Sequence, residues 1–213
     1  MYNCRFIFSL LLFLTFLNHI TDSLQAMETR PNILFILTDD KAPETLSCYG
    51  NTVCQTPNID LLAESGMVID RAYHMGSMSG AVCSPSRTMI MSGRTLWNLP
   101  PRGKKHLKQE EGPNSGQEIL NNTLPAIFNR AGYETFRTCK NGNSYSLANA
   151  QFQIVKDKTS RKAGEEDGSQ WHRRQVIEYL NKRADQGTSK PFFIYFGLSH
   201  PHDERWGREE LLK

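Results

Sequence analysis

An uninterrupted apolar run that ends in two acidic residues limits the folds open to this chain. Ile33-Leu34-Phe35-Ile36-Leu37 is followed directly by Thr38-Asp39-Asp40. A continuous apolar run of this length is typical of a strand that is buried on both faces, as in sheets with helices on either side. Ligands of open α/β sheets bind at the carboxyl ends of the strands. The run therefore predicts an α/β fold and places Asp39 and Asp40 at a candidate site.

Helix and strand signals alternate along the rest of the chain, which also favours α/β. Start residues such as Pro57 and stop residues such as Gly93 delimit the helices. The predicted helices are Thr56–Gly66, one that begins just after Cys83, Thr123–Ala131 and Trp171–Arg183; the predicted strands are Tyr133–Thr138 and Pro191–Leu198, with Met67–Ile69 as a further candidate. Pro100–Ser115 is rich in Pro, Gly and charged residues and is predicted to be an exposed loop.

The first 26 residues have the pattern of a signal peptide. Arg5 precedes the apolar run Phe6–Leu17, and Ala26 offers a small residue for cleavage. The run is too short to cross a hydrocarbon core of ~30 Å as a helix, so a retained membrane anchor is the weaker alternative. We expect residues 1–26 to be removed, and the product to be secreted, periplasmic or lumenal without a stable membrane anchor.

The net charge of the chain limits the classes of partner that it is expected to bind. The formal net charge of +3 over 213 residues gives no electrostatic footprint for nucleic acid, so small molecules are the expected partners.

Export permits disulfides, and four cysteines lie beyond the leader: Cys48, Cys54, Cys83 and Cys139. Spacing alone allows a Cys48–Cys54 pair but does not establish it, and no bridge is assigned.

The stretch Cys83–Arg94 reads Cys-Ser-Pro-Ser-Arg-Thr-Met-Ile-Met-Ser-Gly-Arg. A cysteine phosphatase loop needs an arginine six positions after the nucleophile, where this chain has Met89, and a serine hydrolase elbow would need serine where Met78 stands. A buried structural cysteine remains an alternative. The stretch resembles the sulfatase signature, in which Cys-x-Pro-Ser-Arg directs the oxidation of cysteine to formylglycine. Phosphatases of the same superfamily use Ser or Thr without this context.

The resemblance to sulfatases covers nearly all of the chain after the leader. It implies an alkaline-phosphatase-like fold, a mixed sheet flanked by helices. It also implies that Asp39, Asp40 and the modified Cys83 bind Ca²⁺, with Mg²⁺ possible. Adjacent carboxylates repel each other and supply the oxygen ligands that these cations prefer. From the residues alone, a solvated turn is the alternative interpretation of Asp39 and Asp40.

The resemblance implies three further site residues. Arg87, Lys140 and His202 would hold the sulfate oxygens, and His202 would deliver a proton to the leaving oxygen. His200 is the alternative to His202. The family commonly has a histidine two positions after the lysine, but in this chain Asn141-Gly142-Asn143 stands there instead, and Asn143 could fill the space by hydrogen bonding. Asparagine cannot act as a base, so the expected proton acceptor is missing.

The expected function is hydrolysis of a sulfate monoester, from a small molecule or a glycan, with release of inorganic sulfate. The formylglycine diol derived from Cys83 would attack sulfur, and a formylglycine-generating enzyme would be a partner. A non-catalytic protein that binds anions or sulfated glycans on a sulfatase scaffold is the alternative. A second metal-ligand pair and a further lysine of the family have no counterpart before Lys213. We therefore expect residues 27–213 to be an incomplete N-terminal catalytic domain, inactive on its own.

Overall fold

The structure is a computed structural model that describes residues 30–78, 80–99, 115–140, 145–158 and 168–202. The strands are β1 (Ile33–Leu37), β2 (Glu134–Thr138), β3 (Ile154–Val155) and β4 (Phe192–Gly197). The α-helices are α1 (Pro57–Ser65), α2 (Cys83–Ser92), α3 (Gly116–Asn121), α4 (Leu124–Arg130), α5 (Ser146–Asn149) and α6 (Ser169–Asp185). Short 3₁₀ helices span Pro43–Thr45, Ser47–Tyr49 and Leu96–Asn98. The predicted leader, residues 1–26, and most of the predicted loop at 100–115 lie outside the described residues.

The sheet has the order β1-β4-β2-β3, and all of its described pairings are parallel. Ile33 pairs with Phe193 at one end of β1, and Leu37 pairs with Gly197 at the other. The pairing continues past the strand ends, because the Leu198 amide donates to the Leu37 carbonyl. Parallel strands place their carboxyl ends at one edge of the sheet, which brings the segments after β1, β2 and β4 together. The α/β prediction is confirmed.

Side chains of the central strands alternate between two apolar layers. Phe193 and Tyr195 of β4 face one layer, and Ile194 faces the other. The first layer includes Tyr133, Leu147 and Phe152 and is partly covered by Leu124 and Phe128 of α4; the second contains Phe136 of β2 with Val176 and Tyr179 of α6. Helices thus cover both faces of the sheet, as expected for buried parallel strands.

Two sequence-based expectations differ from the structure. Strand β1 forms where the apolar run predicts it, but Leu34 and Ile36 are each 47% exposed. The reason is position, because β1 is the outer strand of the described sheet and two of its five side chains, Leu34 and Ile36, are left exposed by the described residues. The candidate strand Met67–Ile69 does not form; Met67 is 87% exposed, and a three-residue apolar pattern does not specify a pairing partner.

Two other observations concern the predicted cysteine pair and the predicted membrane anchor. Cys48 and Cys54 are both free thiols in the described part of the chain. Among the described helices, none combines the length and the apolar character that crossing a membrane requires.

Candidate active site

Six residues predicted from sequence gather at the carboxyl edge of the sheet: Asp39, Asp40, Cys83, Arg87, Lys140 and His202. Their positions follow from the topology, because the two aspartates follow β1, the lysine follows β2 and the histidine follows β4. Helix α2 contributes the other two from its first turns. The N-terminus of α2 therefore faces the point where three parallel strands end.

Asp39 is the buried centre of this group. Its side chain forms an ion pair with Lys140 Nζ, and Arg87 Nη2 lies 3.4 Å from its Oδ1. Burial alone would raise the pKa of Asp39, but the hydrogen bond from Lys140 and the charge of Arg87 outweigh it and hold the pKa below its ordinary value. The carboxylate is therefore ionised at neutral pH, with its charge balanced from two sides.

Asp40 occupies a different environment although it is the next residue. Its φ of 62° lies in the left-handed region, which Asp tolerates better than most residues. Its side chain is 38% exposed, and its Oδ2 lies 3.8 Å from His202 Nε2. The Cys83 thiol donates to its Oδ1 at 3.5 Å. The carboxylate of Asp39 is thus buried in the interior, and the carboxylate of Asp40 faces the accessible side of the site.

Cys83 is half-buried at the N-terminus of α2. Burial raises the pKa of its thiol, and the carboxylates of Asp39 and Asp40 raise it further, to about 11. A helix N-terminus normally favours a thiolate, but here the two nearby negative charges dominate. The unmodified side chain is therefore a protonated thiol in this environment and lacks the usual activation of a cysteine nucleophile.

Arg87 lies one helical turn after Cys83 and is 2% exposed. Its Nη1 donates to Cys139 Sγ at 3.0 Å and to the Tyr195 hydroxyl at 3.3 Å. Burial would lower the pKa of the guanidinium, but Cys139, Tyr195 and Asp39 raise it, so the charge is retained. The residue is fixed at the back of the site as a permanent cation.

The carboxylate oxygens of the two aspartates are donors of the kind that a hard divalent cation prefers, but the compact group of candidate ligands contains His202 and not Asp40. Ligand atoms of Asp39, Cys83 and His202 all lie within 4.8 Å of one another. The Asp39 Oδ2 is buried without a hydrogen-bond partner other than its ion-paired lysine. Oxygens of Asp39 and Asp40 would hold Ca²⁺ or Mg²⁺, and a cation there would relieve the repulsion between the two carboxylates.

The two candidate histidines are placed differently. His202 Nε2 faces Asp40, whereas the His200 ring hydrogen-bonds to Ser169 Oγ at 2.8 Å through its Nδ1. The His200 carbonyl accepts the Asp39 amide at 3.2 Å, so this residue helps to fix the loop rather than facing Asp40. Asn141-Gly142-Asn143, the segment that stands where the family has its histidine, lies outside the described residues.

Sequence reasoning missed the residues that support Arg87. Cys139, Tyr195 and Gly197 meet behind the site, and Cys139 was identified only as a thiol without a role. Its position directly before Lys140, at the carboxyl end of a predicted strand, was the available signal. A Cβ added to Gly197 would lie 2.4 Å from Cys139 Sγ, so position 197 accommodates only glycine unless Cys139 moves. We call Cys139, Tyr195 and Gly197 the wall behind the site.

Comparison with known proteins shows the family of this chain. The sulfatase family model matches residues 31–211. The chain belongs to the sulfatase family. It is 34% identical over 109 residues to an N-acetylglucosamine-6-O-sulfatase of Bacteroides thetaiotaomicron, a match that covers 50% of this chain and 17% of that sulfatase. It is 40% identical over 128 residues to human arylsulfatase D, covering 59% of this chain and 21% of the relative.

The fold of this chain is also found in solved structures. A protein of the alkaline phosphatase superfamily from Vibrio parahaemolyticus superimposes with a TM-score of 0.57 at 16% identity, covering 84% of this chain and 43% of that one. The alkaline-phosphatase-like fold class is therefore confirmed. The chain spans less than half the length of each of these relatives.

Proposed function

We propose that the protein hydrolyses sulfate monoesters at the site formed by Asp39, Asp40, Cys83, Arg87, Lys140 and His202. The observation that supports this most strongly is the position of Cys83. It lies at a helix N-terminus, with a carboxylate at 3.5 Å and Arg87 one turn further along the helix. The cysteine of the signature that directs formylglycine formation thus lies next to the two aspartates and in the same group as His202.

Modification of Cys83 gives this position a chemistry that its thiol lacks. Hydrated formylglycine supplies two geminal hydroxyls, one to accept the sulfuryl group and one to allow its release as sulfate. The raised pKa of the thiol favours this assignment over attack by an unmodified cysteine. Formation of the aldehyde requires a formylglycine-generating enzyme as partner.

The charged side chains would bind sulfate together with a divalent cation. Asp39 and Asp40 bring two negative charges, and Arg87 and Lys140 bring two positive charges, so the protein groups balance without a net attraction for an anion. Ca²⁺ bound by the two aspartates, with Mg²⁺ as the alternative, would add two positive charges and polarise a sulfate oxygen. Arg87 and Lys140 would hold the remaining oxygens and stabilise charge that develops on them.

His202 would provide the proton for the leaving alcohol. Its Nε2 lies 3.8 Å from Asp40 Oδ2, and its side chain is 19% exposed, so the ring is accessible from the open side of the site. Asp40 would attract the protonated ring, and a ring nitrogen can hold a proton near the departing oxygen.

We infer a sulfated sugar as the substrate class. The N-acetylglucosamine-6-O-sulfatase relative acts on a sugar sulfate by name, and a solved structure with a TM-score of 0.58 holds D-glucosamine-2-N,6-O-disulfate as its substrate. That structure is 23% identical and matches 82% of this chain and 35% of its own. The leader predicted at residues 1–26 supports export, which would bring the enzyme to extracellular, periplasmic or lumenal glycans.

The test is turnover by the full-length protein, coexpressed with a formylglycine-generating enzyme. Wild type should release sulfate from 4-nitrocatechol sulfate or from glucosamine 6-sulfate, and Cys83→Ala should abolish release. Cys54→Ala removes an exposed thiol outside the site and is the matched control, expected to retain full activity. Sulfate binding without turnover by a fully modified wild type would favour the non-catalytic alternative.

A further inference from the structure

The two terminal nitrogens of Arg87 have different surroundings. Nη1 has two partners in the interior, Cys139 Sγ at 3.0 Å and the Tyr195 hydroxyl at 3.3 Å. Nη2 is buried, has no hydrogen-bond partner among the described residues, and lies 3.4 Å from Asp39 Oδ1 on the side of the site. The guanidinium is therefore anchored in the interior through Nη1, while Nη2 is ion-paired with Asp39 on the side of the site and keeps hydrogen-bonding capacity there.

Cys139 is held so firmly that its sulfur is a fixed acceptor. The residue is 0% exposed. Its amide donates to Asp157 Oδ1 at 3.0 Å, and its carbonyl accepts from the Lys158 amide at 3.2 Å. On the opposite side, Gly197 leaves no room for displacement, because an added Cβ would lie 2.4 Å from the sulfur. The backbone and the neighbouring strand thus fix the position of Sγ.

Tyr195 is fixed in the same way. Its ring is fully buried and stacks on Phe35 with centroids 5.7 Å apart. The Arg137 guanidinium lies 5.2 Å from the ring centroid, as a cation–π contact. Tyr195 therefore belongs to β4, and Cys139 directly follows β2 with its backbone amide and carbonyl both hydrogen-bonded.

We propose that Cys139, assisted by Tyr195, is a positioning residue for Arg87. By accepting the Nη1 hydrogen bonds, the pair orients the planar guanidinium so that Nη2 faces a sulfuryl oxygen in the site. Cys139 neither reacts nor contacts the substrate. The inference deepens the proposed function and rests on it, because it concerns the same anion site.

The alternative is that Cys139 only fills space between two strands. A packing role predicts that any small apolar residue serves equally well, whereas a positioning role requires a hydrogen-bond acceptor. Cys139→Ala removes the acceptor, and Cys139→Ser restores one of similar volume. Leu147→Ala is the matched packing control, since Leu147 is 1% exposed in the same apolar layer and is not one of the partners of Arg87.

The experiment measures binding of inorganic sulfate by calorimetry, and kcat and KM on 4-nitrocatechol sulfate, in the full-length protein. Loss of a hydrogen bond to a charged group corresponds to about tenfold in affinity. We expect Cys139→Ala to weaken sulfate binding about tenfold, Cys139→Ser to recover most of that loss, and Leu147→Ala to lower thermal stability with unchanged sulfate affinity. In an Arg87→Lys background, where Nη1 no longer exists, Cys139→Ala should have no further effect on sulfate affinity.

Unchanged sulfate affinity in Cys139→Ala would overturn the proposal. So would an equal loss in Leu147→Ala, or a loss that persists in the Arg87→Lys background. A wild type that binds sulfate but releases none from the ester would refute the proposed function alone, and the same affinity comparison would still decide the role of Cys139. Absence of sulfate binding by the wild type would overturn both.

Discussion

Gly197 provides a quantitative test of the wall behind the site. An added methyl group would lie 2.4 Å from Cys139 Sγ and 3.1 Å from Arg87 Nη1, far closer than carbon normally approaches either atom. Cys139 is fully buried and cannot swing away. Overpacking of this kind costs about 1–3 kcal/mol, and the reduced entropy of the unfolded chain offsets less than about 1 kcal/mol of it. We therefore expect Gly197→Ala to lower the free energy of unfolding by about 1–2 kcal/mol.

A double-mutant cycle assigns that cost to one contact. Cys139→Ala removes the sulfur at the centre of the clash, so the double variant should be more stable than the sum of the single changes predicts, by about 1 kcal/mol. Urea unfolding of the wild type, both single variants and the double variant supplies the four free energies. Gly80→Ala is the control, because its added Cβ has no described heavy atom within 4 Å. A neutral Gly197→Ala, or strictly additive free energies, would refute the packing described here.

Three further predictions concern charge. Lys140→Met should lower the free energy of unfolding in EDTA by roughly 3 kcal/mol, because it leaves the buried Asp39 with one cation fewer. Adding Asp39→Asn should recover part of this loss. An unchanged free energy of urea unfolding in Lys140→Met would contradict this prediction. CaCl₂ at about 100 times its Kd should raise the free energy of unfolding of the wild type by about 2.7 kcal/mol. Thermal unfolding of Asp40→Asn should show a much smaller gain in stability with CaCl₂. Equal gains in the two proteins would exclude Asp40 as a ligand. Burial lowers the pKa of His172 from 6.5 to about 4, so protonation of His172 destabilises the fold as the pH falls from 6.5 to 4, by roughly 3 kcal/mol in total. His172→Asn should flatten that part of the pH profile of the free energy of unfolding in urea. An unchanged slope would refute the assignment.

Four of the six residues proposed for the site have local sequence signals. Asp39 and Asp40 end an apolar run, and Cys83 and Arg87 share one short motif. Parallel strands place their carboxyl ends together, so the fold class alone indicates that these segments meet. Lys140 and His202 were located through the family resemblance, and the strand ends they follow are where the structure brings them to the site.

The support behind the site could not be predicted in this way. Arg87 and Cys139 are 52 positions apart, and Arg87 and Tyr195 are 108 apart, so their contacts depend on the final strand order. Periodicity identifies buried side chains but not which of them meet. The same limit explains β1, where the apolar pattern predicts a strand but cannot show that Leu34 and Ile36 lie on an outer strand.

Conversion of Cys83 to formylglycine is the step on which the proposed chemistry depends. Trypsin releases it in the peptide spanning residues 72–87, between Arg71 and Arg87. Mass spectrometry of this peptide, from active full-length protein coexpressed with a formylglycine-generating enzyme, should show that the thiol has lost H₂S and gained oxygen. An active enzyme whose peptide retains the unmodified thiol throughout would contradict the account.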